Sequence, residues 1–154
     1  MSKAIYFDMD GTLAELYKVY NWLSLLRAES PIPYEVAQPK VDMDELRKVL
    51  ETLKKDGYHI GVISWLAKNG SRSYNKAVRK AKKNWLKKHL DFEFDEVRIV
   101  KYGTSKHLIA KIKHGLLVDD NNDVCEAWLK NGGQAIDAES YSWLSELKKV
   151  LENN

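Results

Sequence analysis

The sequence predicts an α/β fold, a parallel sheet wrapped on both faces by helices. Three observations carry that expectation. Short apolar runs at 4–7, 59–64, 96–100, 115–118 and 134–136 read as strands. Amphipathic segments of helical period separate them, the alternation produced by strand–helix–strand crossovers. The first run, Ala4-Ile5-Tyr6-Phe7, is apolar without alternation, as a strand buried on both faces must be.

The bulk properties fit one soluble domain. The chain has 154 residues, 44% of them hydrophobic and 31% charged, enough for a real core. No apolar run approaches a membrane span, and the N-terminus lacks the basic-then-apolar layout of a signal peptide. Cys125 is the only cysteine, so no internal disulfide can form, and a reducing, cytoplasmic location is expected. A net charge of +3 suits an anionic substrate or weak contact with nucleic acid and demands neither.

Taken in order, the first strand ends in Asp8-Met9-Asp10-Gly11-Thr12. Residues 13–41 form an insertion, with a short apolar helical patch from Leu16 to Leu26 and then Pro31, Pro33 and Pro39 as breakers. It reads equally as a small lid over the strand ends or as a surface loop with one packed helix. Asp42, with Glu45 three residues on, signals a helix start, and Gly57 its stop. Met43, Leu46, Val49, Leu50 and Leu53 make that helix's apolar face. His59-Ile60-Gly61-Val62-Ile63-Ser64 is the second strand. Over 69–90 a long helix buries Tyr74, Val78, Ala81 and Trp85, leaving Lys76, Arg79, Lys80, Lys82, Lys83, Lys87 and Lys88 as a solvated basic face. No aromatic side chains interleave those cations, so a nucleic-acid role for the face is not favoured. After the third strand, Thr104 is placed to cap a short helix running to Ile112. The fourth strand ends in Asp119-Asp120, and a helix with Val124, Trp128 and Leu129 inward stops at Gly132-Gly133. A short fifth strand and a final helix over 140–152 complete the chain.

Strand ends at the carboxyl edge of such a sheet share one crevice. Here they supply Asp8, Asp10, Ser64, the 101–106 region, Asp119 and Asp120. Carboxylates at that density suit a hard cation, Mg²⁺ above all. A metal beside Lys and Ser donors is what a phosphoryl group needs as charge spreads over its oxygens. Lys106 would fall in the first turn of its helix, where the dipole favours an anion and disfavours a lone cation. Lys101 competes for the same role from the strand end itself. The histidines show no zinc-ligand spacing, and Cys125 has no histidine placed to activate it.

Asp8-Met9-Asp10-Gly11-Thr12, then Ser64 after a strand, then a lysine, then Asp119-Asp120 after a strand, resembles the haloacid dehalogenase (HAD) superfamily. The four motifs stand in order across nearly the whole chain. The resemblance implies a single HAD-like domain over 1–154, a Rossmann-like sheet of order 5-4-1-2-3, Mg²⁺ dependence and an aspartyl-phosphate intermediate. It makes Asp8 the nucleophile and Asp10 the general acid/base. Ser64 and Lys106 become the phosphoryl-binding groups, and Asp8, Asp119, Asp120 and the backbone carbonyl of Asp10 the metal site. Asp123 competes with Asp120 for the last acid. A second aspartate two residues after the first favours a phosphatase over a dehalogenase, because a halide leaves without a proton.

The expected substrate is a small phosphorylated metabolite. The short loops and lone early insertion look somewhat like the 5′(3′)-deoxyribonucleotidase branch, which points to a nucleoside monophosphate. Trp65, with Tyr17, Tyr20 or Trp22 of the insertion, could stack a base. The insertion is short against the larger cap of that branch. Alternatives are a phosphatase for nucleic-acid 3′-phosphate ends, or a non-catalytic phosphate- or metal-binding domain. No membrane partner is expected.

Overall fold

The computed structural model describes residues 1–153. Its five strands are β1 (Ala4–Phe7), β2 (His59–Trp65), β3 (Glu96–Val100), β4 (Leu116–Asp119) and β5 (Gln134–Asp137). Every pairing is parallel, in the order β3-β2-β1-β4-β5. The expected listing, 5-4-1-2-3, names these neighbours from the opposite edge. β1 therefore lies at the centre, and its four residues are buried on both faces, as their unbroken apolarity requires.

The helices are α1 (Trp22–Arg27), α2 (Ile32–Val36), α3 (Met43–Lys55), α4 (Arg72–His89), α5 (Lys106–Ile109), α6 (Asn122–Lys130) and α7 (Trp143–Glu152). Strand alternation divides the core between the two faces of the sheet. Ile5 and Phe7 pack with Leu46 and Leu50 of α3, Trp85 of α4 and Leu147 of α7. Tyr6 and Leu117 pack on the other face with Trp128 of α6 and Ala110 beyond α5. Asp42 caps α3 by accepting from Glu45 N at 3.0 Å, as its spacing predicts. The Glu45 side chain turns away to Lys148 of α7, so no reciprocal box closes.

The insertion departs from expectation. A 3-10 turn (Leu16–Lys18) precedes α1, and α1 buries none of its residues. Pro31 and Pro33 do not break the chain but open α2, where a missing N–H and a fixed φ suit a helix's first turn. The segment is held along its length. Glu15 N donates to Gln38 O at 2.8 Å, and Lys40 N to Leu13 O at 2.9 Å. Trp85 Nε1 of α4 donates to Ala37 O at 2.7 Å, and Tyr74 Oη to Ser30 O at 3.0 Å. Lys40 Nζ donates to the carbonyls of Gly11, Ala138 and Glu139, fastening the return of the insertion to the turn after β1. Leu16 and Tyr34 join Tyr74 and Val78 of α4 in a small core of their own.

A second correction concerns the approach to α5. Thr104 does not cap it: its hydroxyl donates back to Lys101 O at 2.7 Å, and Ser105 is the N-cap residue. The helix stops at Ile109, a single turn in place of the expected run to Ile112.

Candidate active site

The carboxyl ends of β1, β2 and β4 meet at one place. Asp8 follows β1 directly, its N–H still paired to Val118 O at 3.0 Å. The chain then folds into a tight turn in which Met9 O accepts from the N–H groups of Thr12, Leu13 and Ala14. Gly11 stands in the left-handed region at φ +82°, and a Cβ there would lie 2.1 Å from Asp120 Oδ2. Both the backbone and the neighbouring carboxylate therefore demand glycine. Thr12 Oγ1 donates to Asp8 Oδ2 at 3.2 Å, fixing one oxygen of the carboxylate.

Lys106 holds the other. Its Nζ donates to Asp8 Oδ1 at 3.0 Å and to Asp119 Oδ2 at 2.8 Å, with 4% of the residue exposed. Burial works against the ammonium, but Asp8 and Asp119 more than offset it and push its pKa upward. Lys101 stays exposed and does not line the cavity, whereas Lys106 does. Asp119 Oδ1 accepts from Asn121 N at 3.0 Å.

Asp8, Asp119 and Asp120 each place a carboxylate oxygen within 4.8 Å of the others. One lysine cannot balance three such charges. Burial, then the Asp8 charge, raises the pKa of Asp119 to about 7, and the same two causes raise that of Asp120 to about 8. The cluster thus holds protons that a cation would displace. An all-oxygen, anionic donor set of this kind fits Mg²⁺. Asp123 lies exposed in the first turn of α6 and is not part of the cluster.

The Asp10 carboxylate is not part of the cluster either; the ligand expected from Asp10 is its backbone carbonyl, not this side chain. It turns to Lys82 of α4, whose Nζ donates to Asp10 Oδ2 at 2.9 Å, Ser64 Oγ at 2.7 Å and Trp65 O at 2.7 Å. Lys82 is 1% exposed and stands 5.0 Å from the centre of the Tyr34 ring. This overturns the reading of Lys82 as part of a solvated face. The signal was present in the sequence: 78, 81, 82 and 85 follow the i, i+3, i+4, i+7 spacing of one helical face. Burial raises the Asp10 pKa, and the Lys82 charge opposes that rise.

Ser64 is fully buried and does not line the cavity. Accepting from Lys82 leaves its own O–H to donate elsewhere. Trp65 does line the cavity. Its Nε1 donates to Thr104 O at 2.9 Å, and its ring packs 5.0 Å from that of Tyr102 and 5.5 Å from Lys106 Nζ.

Above the acids opens a cavity of about 540 Å³, within the range that holds small-molecule ligands. The strand-end side contributes Trp65 and Tyr102, and the insertion contributes Tyr17 and Trp22, whose rings pack edge-on at 4.9 Å. Arg27, Lys68 and Asn69 also line it. The floor is anionic and ammonium-studded, and the walls are aromatic. His107, Cys125 and Tyr20 are absent from this lining. Burial pushes the Cys125 thiol up to about 12, so it remains protonated and unreactive. No helix among the described residues is long and apolar enough to cross a membrane. Neither a protein-family model nor a curated protein matches the chain.

Proposed function

We propose that this chain is an Mg²⁺-dependent phosphomonoester hydrolase of the HAD superfamily, working through an aspartyl-phosphate on Asp8. The observation that carries the reading is the pairing of two acids with two different lysines. Asp8 shares Lys106 and the acid cluster with Asp119, while Asp10, two residues on, is drawn aside by Lys82. Neighbouring carboxylates in unlike environments are suited to unlike tasks.

In the first step an Asp8 oxygen attacks phosphorus, the phosphorus–ester oxygen bond breaks, and Asp10 gives its proton to the departing alkoxide. In the second, Asp10 takes a proton from water as that water attacks phosphorus and releases the Asp8 carboxylate. Lys106 stands where it can neutralise charge on the equatorial phosphoryl oxygens, and Thr12 keeps Asp8 in one rotamer. Lys82 fixes Asp10 and directs the Ser64 proton away from itself. Asp8, Asp119 and Asp120, with the backbone carbonyl of Asp10 that the resemblance adds, would hold Mg²⁺. The ion supplies charge that keeps Asp8 ionised and screens it from an incoming phosphate.

The substrate that suits the cavity is a phosphomonoester with an aromatic portion, of which a nucleoside monophosphate is the leading example. Two aromatic pairs lining the same cavity as the acids favour it. The test is Mg²⁺-dependent phosphate release from a panel of para-nitrophenyl phosphate, 5′ and 3′ nucleotides and sugar phosphates, with wild type and Asp8→Asn. Turnover lost in Asp8→Asn supports the mechanism. Turnover that survives it overturns the nucleophile assignment, and no turnover on any ester leaves a non-catalytic binding domain as the better reading.

A further inference from the structure

The molecule is electrically lopsided. Residues 57–90 contain nine of the 25 Lys and Arg residues and none of the 22 Asp and Glu, so the rest of the chain carries 16 bases against 22 acids. One of the nine, Lys82, is consumed inside the site. Six others, Arg72, Lys76, Arg79, Lys80, Lys83 and Lys87, are exposed on α4. At 100° per residue they fall on one arc of about 100°, a ridge about 22 Å long. Among the described residues no carboxylate stands within ion-pair distance of any of them. A ridge of like charge with no interspersed acids repels itself along its length, whereas solvated helix faces commonly alternate in sign.

The ridge is also aimed. α4 follows β2, so its N-terminus lies at the carboxyl edge of the sheet, beside the cavity. Lys68 and Asn69 line the cavity, and Arg72 begins the ridge. At the cavity, Tyr17 and Tyr102 are each about half exposed, next to Trp22 and Trp65. The stacking surfaces missing from the helix itself are at the end where the ridge meets the site.

We propose that the outer face of α4 docks the phosphodiester backbone of a single-stranded nucleic acid, whose terminal phosphate enters the cavity. A basic track for the backbone with aromatic platforms for bases is the recurrent chemistry of single-strand binding. The cavity then takes the terminal nucleotide of a strand in place of a free one. The fate of that phosphate rests on the hydrolase reading above; the binding does not. A membrane surface fits less well, because the ridge carries no apolar residues to insert.

The experiment measures fluorescence anisotropy of a labelled single-stranded decanucleotide, ended by 3′-phosphate, 5′-phosphate or hydroxyl, from 50 to 200 mM salt. Wild type is compared with Lys76→Glu/Lys80→Glu/Lys83→Glu and with the milder triple change to Gln, each checked for an unaltered thermal transition. With about five phosphates engaged, wild-type affinity should fall about a hundredfold over that range. The triple variants should bind at least tenfold more weakly at 50 mM, with a salt slope shallower by about 2. Both should hydrolyse para-nitrophenyl phosphate at the wild-type rate. Equal binding by wild type and variants, or equal affinity for phosphate- and hydroxyl-ended strands, overturns the proposal. Tighter binding to phosphatidylserine vesicles than to the strand overturns it in favour of a membrane. Salt-dependent strand binding with no phosphate released from the strand or from any other ester sinks the hydrolase reading and leaves the docking face standing. Para-nitrophenyl phosphate turnover without strand binding does the reverse.

Discussion

Replacing Lys82 by methionine removes one ammonium and little volume. Three partners at 2.7–2.9 Å are left behind: the Asp10 carboxylate, Ser64 Oγ and Trp65 O. Deleting one member of a buried ion pair costs about 3–5 kcal/mol, because the survivor keeps its desolvation penalty. The Asp10 side chain retains 17% exposure, and it can take up a proton, so the lower end of that range, about 3 kcal/mol, applies. For a chain of this length that is a fall of about 6–12 °C in melting temperature. Lys83→Met, one residue along but exposed, should change stability by less than about 0.5 kcal/mol. In the phosphatase mechanism Asp10 serves the leaving oxygen, so its mispositioning is felt most where that oxygen needs a proton. Alkyl phosphates should slow by about a hundredfold in kcat, the scale of general-acid assistance. Para-nitrophenyl phosphate, whose phenolate departs unaided, should slow by less than about tenfold. Lys82 opposes the rise in the Asp10 pKa; without it the pKa climbs further, so the alkaline limb of the alkyl-ester profile moves to higher pH. Thermal melts and kcat profiles on the two ester classes check this. A Lys82→Met protein that melts with wild type, or that slows both ester classes equally, refutes the argument.

Other consequences follow from the acid cluster and its turn. Metal-free protein should lose stability as pH rises from about 4 to about 8. Asp119 and Asp120 hold their protons in the folded chain until the pH nears about 7 and about 8 respectively, while the unfolded chain ionises near the ordinary carboxylate value. Mg²⁺ should therefore raise the melting temperature more at pH 8 than at pH 5, and the opposite order in a pair of melts would remove the metal assignment. Asp120→Asn should weaken Mg²⁺ binding by at least tenfold in calorimetry, whereas Asp123→Asn, exposed on α6, should leave it unchanged. Gly11→Ala should destabilise by at least about 1–2 kcal/mol from the positive φ alone. It should also lower Mg²⁺ affinity by pressing on Asp120, an effect absent if the turn simply re-forms. Lys40→Met leaves the Gly11, Ala138 and Glu139 carbonyls without their shared donor. Amide exchange should then rise over 8–14 and 37–40 while the α3 core stays protected.

What the sequence by itself determined were properties with a local cause. Unbroken apolarity at 4–7 made β1 a doubly buried strand, and Asp42 with Glu45 marked the start of α3. Acids directly after β1 and β4 had to share one sheet edge once both strands were parallel. Choices between near neighbours were different. Lys106 against Lys101, and Asp120 against Asp123, turn on which side chain the last turn of backbone aims inward, and a single-turn α5 beginning after Ser105 places Lys106, not Lys101, against the acids. The prolines of the insertion could equally have broken a helix or opened one, until α4 gave α2 a surface to pack on. Lys82 is the clearest case. Helical spacing alone puts it on the inward face of α4, yet an isolated lysine is far more stable in water than in a core. Only the tertiary fold brings Asp10, 72 residues earlier in the chain, to within 2.9 Å of it. A buried charge is tolerated when its partner arrives, and the partner's arrival is a property of the packed sheet and helix, not of either segment alone.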